Sequence, residues 1–275
     1  MSSSRFPRRC ANGAFALALL ALTATPALAR KEAAPAQAIG TREPEALKTL
    51  QRMHSFLAGL GSFRFSMDAS WDVVQRWGEK IEFGEQRVVT LRRPDSVRVD
   101  TTDRDGSADV LVFDGSKITV YQSAGNTWGS IPFAGNIDQA VTYVTGDLGM
   151  RLPMSRMLAS NFGPQAGAWA HTVRSVGTAN LGGVPCDHVA MSGEWEDVQV
   201  WIAQGAQPVP QRVVITYKRA EGHPQFRAQI RDWLLNPAVP DSTFQFTAPA
   251  NATMAPVVPM LPRMQPPAPA VGAKP

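Results

Sequence analysis

From Phe63 to Val73 the chain alternates without a break. Phe63, Phe65, Met67, Ala69, Trp71 and Val73 are apolar, and Arg64, Ser66, Asp68, Ser70 and Asp72 between them are polar. Successive side chains of a strand point to opposite faces, so this period of two predicts a long antiparallel strand with one dry and one wet face. Just upstream the period changes. Leu47, Leu50, Met53, Leu57 and Leu60 recur at three- and four-residue spacing, behind a Thr41-Arg42-Glu43-Pro44 start and ahead of Gly59 and Gly61. Proline and acids suit a first helical turn, so the pattern predicts one amphipathic helix with a single apolar stripe. His54, at the edge of that stripe, reads as a packing residue.

Further strands are predicted over 80–91, 95–101, 108–113, 117–122 and 127–131. Turns such as Asp103-Arg104-Asp105-Gly106 and Asp114-Gly115-Ser116 join several of them. A helical interlude follows: Asn136 can cap a helix with Ile137, Val141, Val144 and Leu148 on its apolar side, and a second short helix is expected over 154–160. Strands resume over 171–178, 184–191, 198–203, 212–218 and 225–234. Helices do not alternate with strands, which argues against a parallel α/β fold. The expected class is mainly β (α+β), a single large curved antiparallel sheet with an N-terminal helix and a short helical insertion.

The two ends read differently. Arg5, Arg8 and Arg9 precede an apolar run from Ala14 to Leu22, and Ala27-Leu28-Ala29 fits a cleavage site, so residues 1–29 are expected to be an export signal. The run is too short for a spanning helix, which needs ~20 apolar residues. Residues 30–40 read as a flexible leader and 41–248 as the folded domain. The segment 249–275 holds eight prolines and is expected to be an extended, disordered tail. Its methionines, Met254, Met260 and Met264, are irregularly spaced with no histidine nearby, so no copper site is expected.

Removing the signal alters the charge balance. The whole chain carries 27 Lys+Arg against 23 Asp+Glu, but three of the arginines and none of the acids lie in the signal. The processed chain is then close to neutral, and no nucleic-acid partner is expected. Cys10 leaves as well, so Cys186 has no intramolecular partner in an oxidising compartment.

The residue types richest in chemistry meet at Cys186, Asp187 and His188. On a strand Cys186 and His188 share a face, about 6.5 Å apart given ~3.3 Å per residue, which is long for a thiol–imidazole hydrogen bond. No second ligand pair exists for a zinc site. Cys186 therefore reads as a small buried hydrophobe and His188 as a polar strand residue. Glu194 and Glu196 flank Trp195 at a hairpin end and read as solvated carboxylates. No nucleophile elbow, metalloprotease helix, phosphate loop or dinucleotide fingerprint is present. No catalytic residue, metal or cofactor is expected.

The run Gly182-Gly183-Val184-Pro185-Cys186-Asp187-His188 resembles a stretch shared by an uncharacterised family of predicted bacterial periplasmic proteins. So do Val198-Gln199-Val200-Trp201-Ile202, the strand Arg212 to Lys218, and the closing Phe244-Gln245-Phe246 with Pro249. With the early helix and the Phe63–Val73 strand, the likeness spans most of 43–250. That family resembles the LolA/LolB lipoprotein-carrier superfamily, which includes the sensor RseB. The resemblance implies an open half-barrel of about eleven antiparallel strands, with helices on its concave side. It also implies binding of lipid, acyl chains or lipidated proteins in the space between sheet and helices. The chain departs from the pattern in having no match for the arginine that locks LolA's lid, and no LolB-type anchoring cysteine.

From the residues alone, the apolar stripes of helix and long strand can close on each other as ordinary core or leave a cavity. The resemblance favours a cavity, bordered by Phe63, Phe65, Met67, Trp71, Leu50 and Leu57. The expected function is a periplasmic, non-catalytic binder of an apolar ligand. The alternative is an envelope protein-interaction or sensor module of the RseB type, without bound lipid.

Overall fold

The computed structural model describes residues 40–147, 152–161 and 169–257. The expected export signal, nearly all of the leader, and the tail from 258 onward lie outside these residues.

The first helix, α1 (Pro44–Gly59), begins where the proline predicts and ends as Leu60 turns extended. Its stripe of Ala46, Leu50, Met53 and Leu57 is buried, together with His54. Glu43 supplies no side-chain cap; its carboxylate instead accepts the Ser175 amide at 2.8 Å, tying the helix start to a sheet edge.

Six strands follow as a meander: β1 (Ser62–Val74), β2 (Lys80–Arg92), β3 (Ser96–Asp103), β4 (Ala108–Phe113), β5 (Lys117–Gln122) and β6 (Thr127–Pro132). A second meander comprises β7 (Thr172–Leu181), β8 (Val184–Ser192), β9 (Glu196–Ala203), β10 (Pro210–Tyr217) and β11 (Gln225–Leu235). β11 returns to pair with β1, so the first strand in sequence becomes the centre of the sheet. A further short strand, β12 (Thr253–Met254), is the last among the described residues. The order is β12-β6-β5-β4-β3-β2-β1-β11-β10-β9-β8-β7, in one open sheet.

The eleven strands expected from the sequence are all present, and all pair antiparallel. The twelfth is not foreseen by the sequence pattern. It lies in the proline-rich segment and adds to the edge of β6 in parallel. Val257, just beyond it, is buried against Val120. For residues 249–257, then, the expectation of a free tail is corrected. β12 itself, Thr253–Met254, holds no proline; Pro249 and Pro256 lie on either side of it.

β6 and β7 lie at opposite sides of the sheet, so the chain between them must cross its face. It does so through α2 (Ile137–Thr142), a π-helical turn (Tyr143–Asp147) and a 3-10 turn (Ser155–Leu158). Asn136 caps α2 as expected: its side chain accepts the Gln139 amide at 2.9 Å, and the Gln139 side chain accepts the Asn136 amide at 2.9 Å. The single longer helix expected from Ile137 to Leu148 is replaced by six α-helical residues and a wider turn, with Leu148 outside the described residues. The helix expected over 154–160 is only a 3-10 turn, entered through Met154 at φ +67.

Candidate ligand cavity

The register of the first meander stacks its inward side chains into rows that run across the strands. One row reads Phe63, Leu91, Val97, Phe113, Ile118 and Ile131. The next, two residues along each strand, reads Phe65, Val89, Val99, Leu111, Val120 and Gly129. Both are wholly apolar. The third row changes character at once: Met67, Arg87, Thr101, Asp109, Gln122 and Thr127. Beyond it Ala69 is followed by Glu85 and Asp103.

Between this face and the crossing segment lies a cavity of about 560 Å³. That falls in the ~300–1,000 Å³ range of small-molecule sites. Its floor is formed by Phe65, Met67, Val89, Val99, Leu111 and Phe113; its roof by Ile137, Val141, Val144, Leu152, Met157 and Leu158. Residues of β1 and β6, five strand positions apart, line the same space. On a flat sheet those strands would be ~24 Å apart, at ~4.8 Å per step, so the sheet curves around the cavity.

The sites expected from sequence divide into two groups. Phe65, Met67 and Trp71 line the cavity, with Trp71 at its edge. Phe63, Leu50 and Leu57 do not line it. Each is at most 2 % exposed and belongs to the continuous core. The reason is topological: α1 lies against β7, β8 and the 3-10 turn, so its stripe seals the other half of the concave face. Trp233 completes that seal. A bulge in β11, with Asp232 at φ +56, places the indole 4.6 Å from the Phe65 ring and 5.8 Å from Phe63.

The roof is held by polar contacts that the linear pattern does not mark. Asp138 accepts the amide of Ser160 at 2.7 Å and its hydroxyl at 2.6 Å, closing the crossing segment on itself. Arg93 donates to the carbonyls of Leu57 at 3.4 Å and Leu158 at 3.1 Å, joining α1 to the 3-10 turn. Burial pushes His54 below its ordinary value, while the Ala159 backbone beside it favours the protonated form. The signal for Arg93 and His54 lies in tertiary proximity alone.

The polar end is more legible. Glu85, Arg87, Asp103 and Asp109 occupy inward positions, in phase with the apolar residues of their strands, where alternation calls for hydrophobes. Glu85 is 6 % exposed and pairs with Arg87. Asp103 accepts the Ser107 hydroxyl at 3.1 Å, and Asp109 the Ser123 amide at 3.1 Å. In-phase charges of this kind are the sign of the cavity's polar end that the sequence offers.

The Cys186 region has a different layout. Cys186 is fully buried, its thiol donates to the Val184 carbonyl at 3.4 Å, and burial pushes its pKa up. His188 stacks on Trp201 with ring centroids 4.0 Å apart and shares a hydrogen bond with Gln199 at 3.1 Å. Burial lowers its pKa. These contacts hold the two side chains as packing elements. Among the described residues no group of three or more His, Cys, Asp or Glu is placed to hold a metal, and no helix is long and apolar enough to cross a membrane.

A family model described as "Predicted periplasmic protein (DUF2092)" matches residues 46–258. The chain belongs to this family. The DUF2092 match takes in both meanders, the crossing segment and α1 from Ala46 onward, and the protein is accordingly periplasmic. No curated protein matches this DUF2092 chain. Solved structures similar to it include an uncharacterised conserved protein from Thermus thermophilus, at 11 % identity and TM-score 0.46, over 77 % of this chain and 98 % of that one. The lipoprotein LppX of Mycobacterium tuberculosis is similar at 15 % identity and TM-score 0.46, over 72 % and 98 % of the two chains. A LolA superfamily protein from Nitrosomonas europaea is similar at 11 % identity and TM-score 0.36, over 73 % and 97 %.

Proposed function

We propose that this periplasmic protein binds an apolar ligand, such as a lipid, an acyl chain or the lipid of a lipidated protein, in the cavity beneath the crossing segment. It does so without covalent chemistry. The observation that carries the reading is the cavity itself: apolar residues from two rows of the sheet, Phe65, Val89, Val97, Val99, Leu111 and Phe113 among them, face an apolar roof across about 560 Å³. Cores are normally packed to crystal-like density, so an apolar space of this size is costly unless something occupies it. Phe65, Met67 and Trp71 face the ligand; Leu50, Leu57 and Phe63 hold the wall behind it.

The test is mass spectrometry of an organic extract from protein purified without detergent, alongside the Trp71→Glu variant. A defined apolar compound in near-stoichiometric amount, lost from a variant that still folds, supports the proposal. A clean extract, with no uptake of added fatty alcohol or phospholipid, overturns it and leaves an envelope protein partner as the reading to pursue.

A further inference from the structure

The two ends of the cavity differ in chemistry, and that difference constrains what can occupy it. The end near Phe63 and Phe65 is apolar in every position of both rows. Two residues further along the strands, ~7 Å away, the lining becomes charged. The charged residues around the cavity, among those described, are Glu85, Asp103, Asp105, Asp109 and Arg87. Four are acids and one is basic, and Arg87 is already paired with Glu85. Arg104, on the same turn as Asp103 and Asp105, is not part of the lining; it reaches Glu82 at 3.7 Å.

We infer that the ligand is an amphiphile with a positively charged head, seated among Asp103, Asp105 and Asp109, with its hydrocarbon tail lying over the residues of the two apolar rows that line the cavity, from Phe65 to Val120. This rests on the cavity-binding reading above and adds the class of head group.

The electrostatic case is one of sign and dielectric. Like charges repel more strongly where water is partly excluded, so a carboxylate or phosphate head would enter against the field of these acids, and an ammonium head would enter with it. Burial pushes the Asp109 carboxyl above its ordinary value; the Ser123 amide opposes this, and the charges of Asp103 and Asp105 add to it. Burial likewise raises Glu85, against the attraction and hydrogen bonding of Arg87, and the charges of Asp103 and Asp109 raise it further. Asp105 lies on an exposed turn, where the Ser107 amide and hydroxyl hold its carboxyl below its ordinary value, so the repulsion that a cation relieves on binding is felt at Asp109 and Glu85. The hydroxyl of Ser107 and the side chains of Gln122 and Thr127 line the same end and can accept hydrogen bonds from an ammonium that carries protons.

Three probes of one chain length separate the parts of the claim: decyltrimethylammonium, decanol and decanoate, titrated into the purified chain by calorimetry below micelle-forming concentration. The expected result is at least tenfold tighter binding of the ammonium than of the carboxylate, with decanol between them. Asp109→Asn should bring the ammonium-to-carboxylate ratio toward one. Asp103→Asn, on the adjacent strand, should do the same and guards against a single variant that fails to fold. Binding of decanol with a ratio near one in the wild type, or a ratio unmoved in both folded variants, overturns the head-group inference alone. Failure of all three probes to bind removes the cavity reading with it.

Discussion

Single side chains decide how the roof is attached. His54 sits buried in α1 with the Ala159 backbone against it and Arg93 and Asp138 nearby. Its pKa is lowered in the fold, by burial first, so the neutral ring is the form that fits. The sign follows from linkage: the unfolded chain binds the proton more readily, and stability falls as pH drops below the ordinary value of 6.5. Between pH 7 and pH 5.5 the melting temperature of the wild type should therefore fall more than that of His54→Gln. Equal slopes would show that His54 does not carry the effect. At this scale the sequence is only partly informative. His54 reads as a packing residue because it lies at the edge of an apolar stripe. Arg93 carries no mark at all, since its partners are backbone carbonyls 36 and 65 positions away.

At the scale of elements, the outcome depends on how regular each one is. Alternation of period two survives where one face is dry, as in β1 and β11, and turn residues mark the ends of several other strands. The crossing segment is readable only at its start. Asn136 and Gln139 form a capping box that sequence spacing announces, but the π-helical and 3-10 turns after it have no sequence period to detect. Which apolar stripe becomes wall and which becomes lining is hidden for another reason. Leu57 and Phe65 look alike in the chain, and only the placement of α1 over β7 and β8 separates them. The capping box supplies the prediction at this scale. Asn136→Ala should cost about 1 kcal/mol locally. The loss should appear as faster amide exchange over 137–147, with little change in the central strands. Uniform acceleration across the sheet would mean that the crossing segment unfolds only with the whole molecule.

For the whole molecule, both long sides of the sheet are covered by segments from outside the two meanders. Thr41 and Glu43 bond to Val173 on β7, with Val173 N donating to the Thr41 carbonyl at 2.9 Å and Glu43 N to the Val173 carbonyl at 2.8 Å. On the other side, Thr253 N donates to the Asn126 carbonyl at 2.9 Å and Ala255 N to the Trp128 carbonyl at 2.8 Å. An uncovered edge is a template for pairing with other chains. A chain ending at residue 248 should therefore self-associate with rising concentration in light scattering, whereas one ending at 257 should behave as the full-length protein. Equal behaviour of the two would show that β12 protects nothing.

The pairing of β1 with β11 has a consequence in time. Asp72 and Arg227 bond across that pair at 2.8 Å, yet they are 155 positions apart in the chain. A ribosome adding ~5–20 residues per second places them many seconds apart, and the centre of the sheet cannot close until nearly the whole domain has emerged. Loops of that length close slowly because their entropy must be given up before any contact compensates for it. The centre of the sheet thus stays open through most of synthesis. The delay also leaves the β1 edge that β11 will cover unpaired throughout that interval, open to pairing with neighbouring chains.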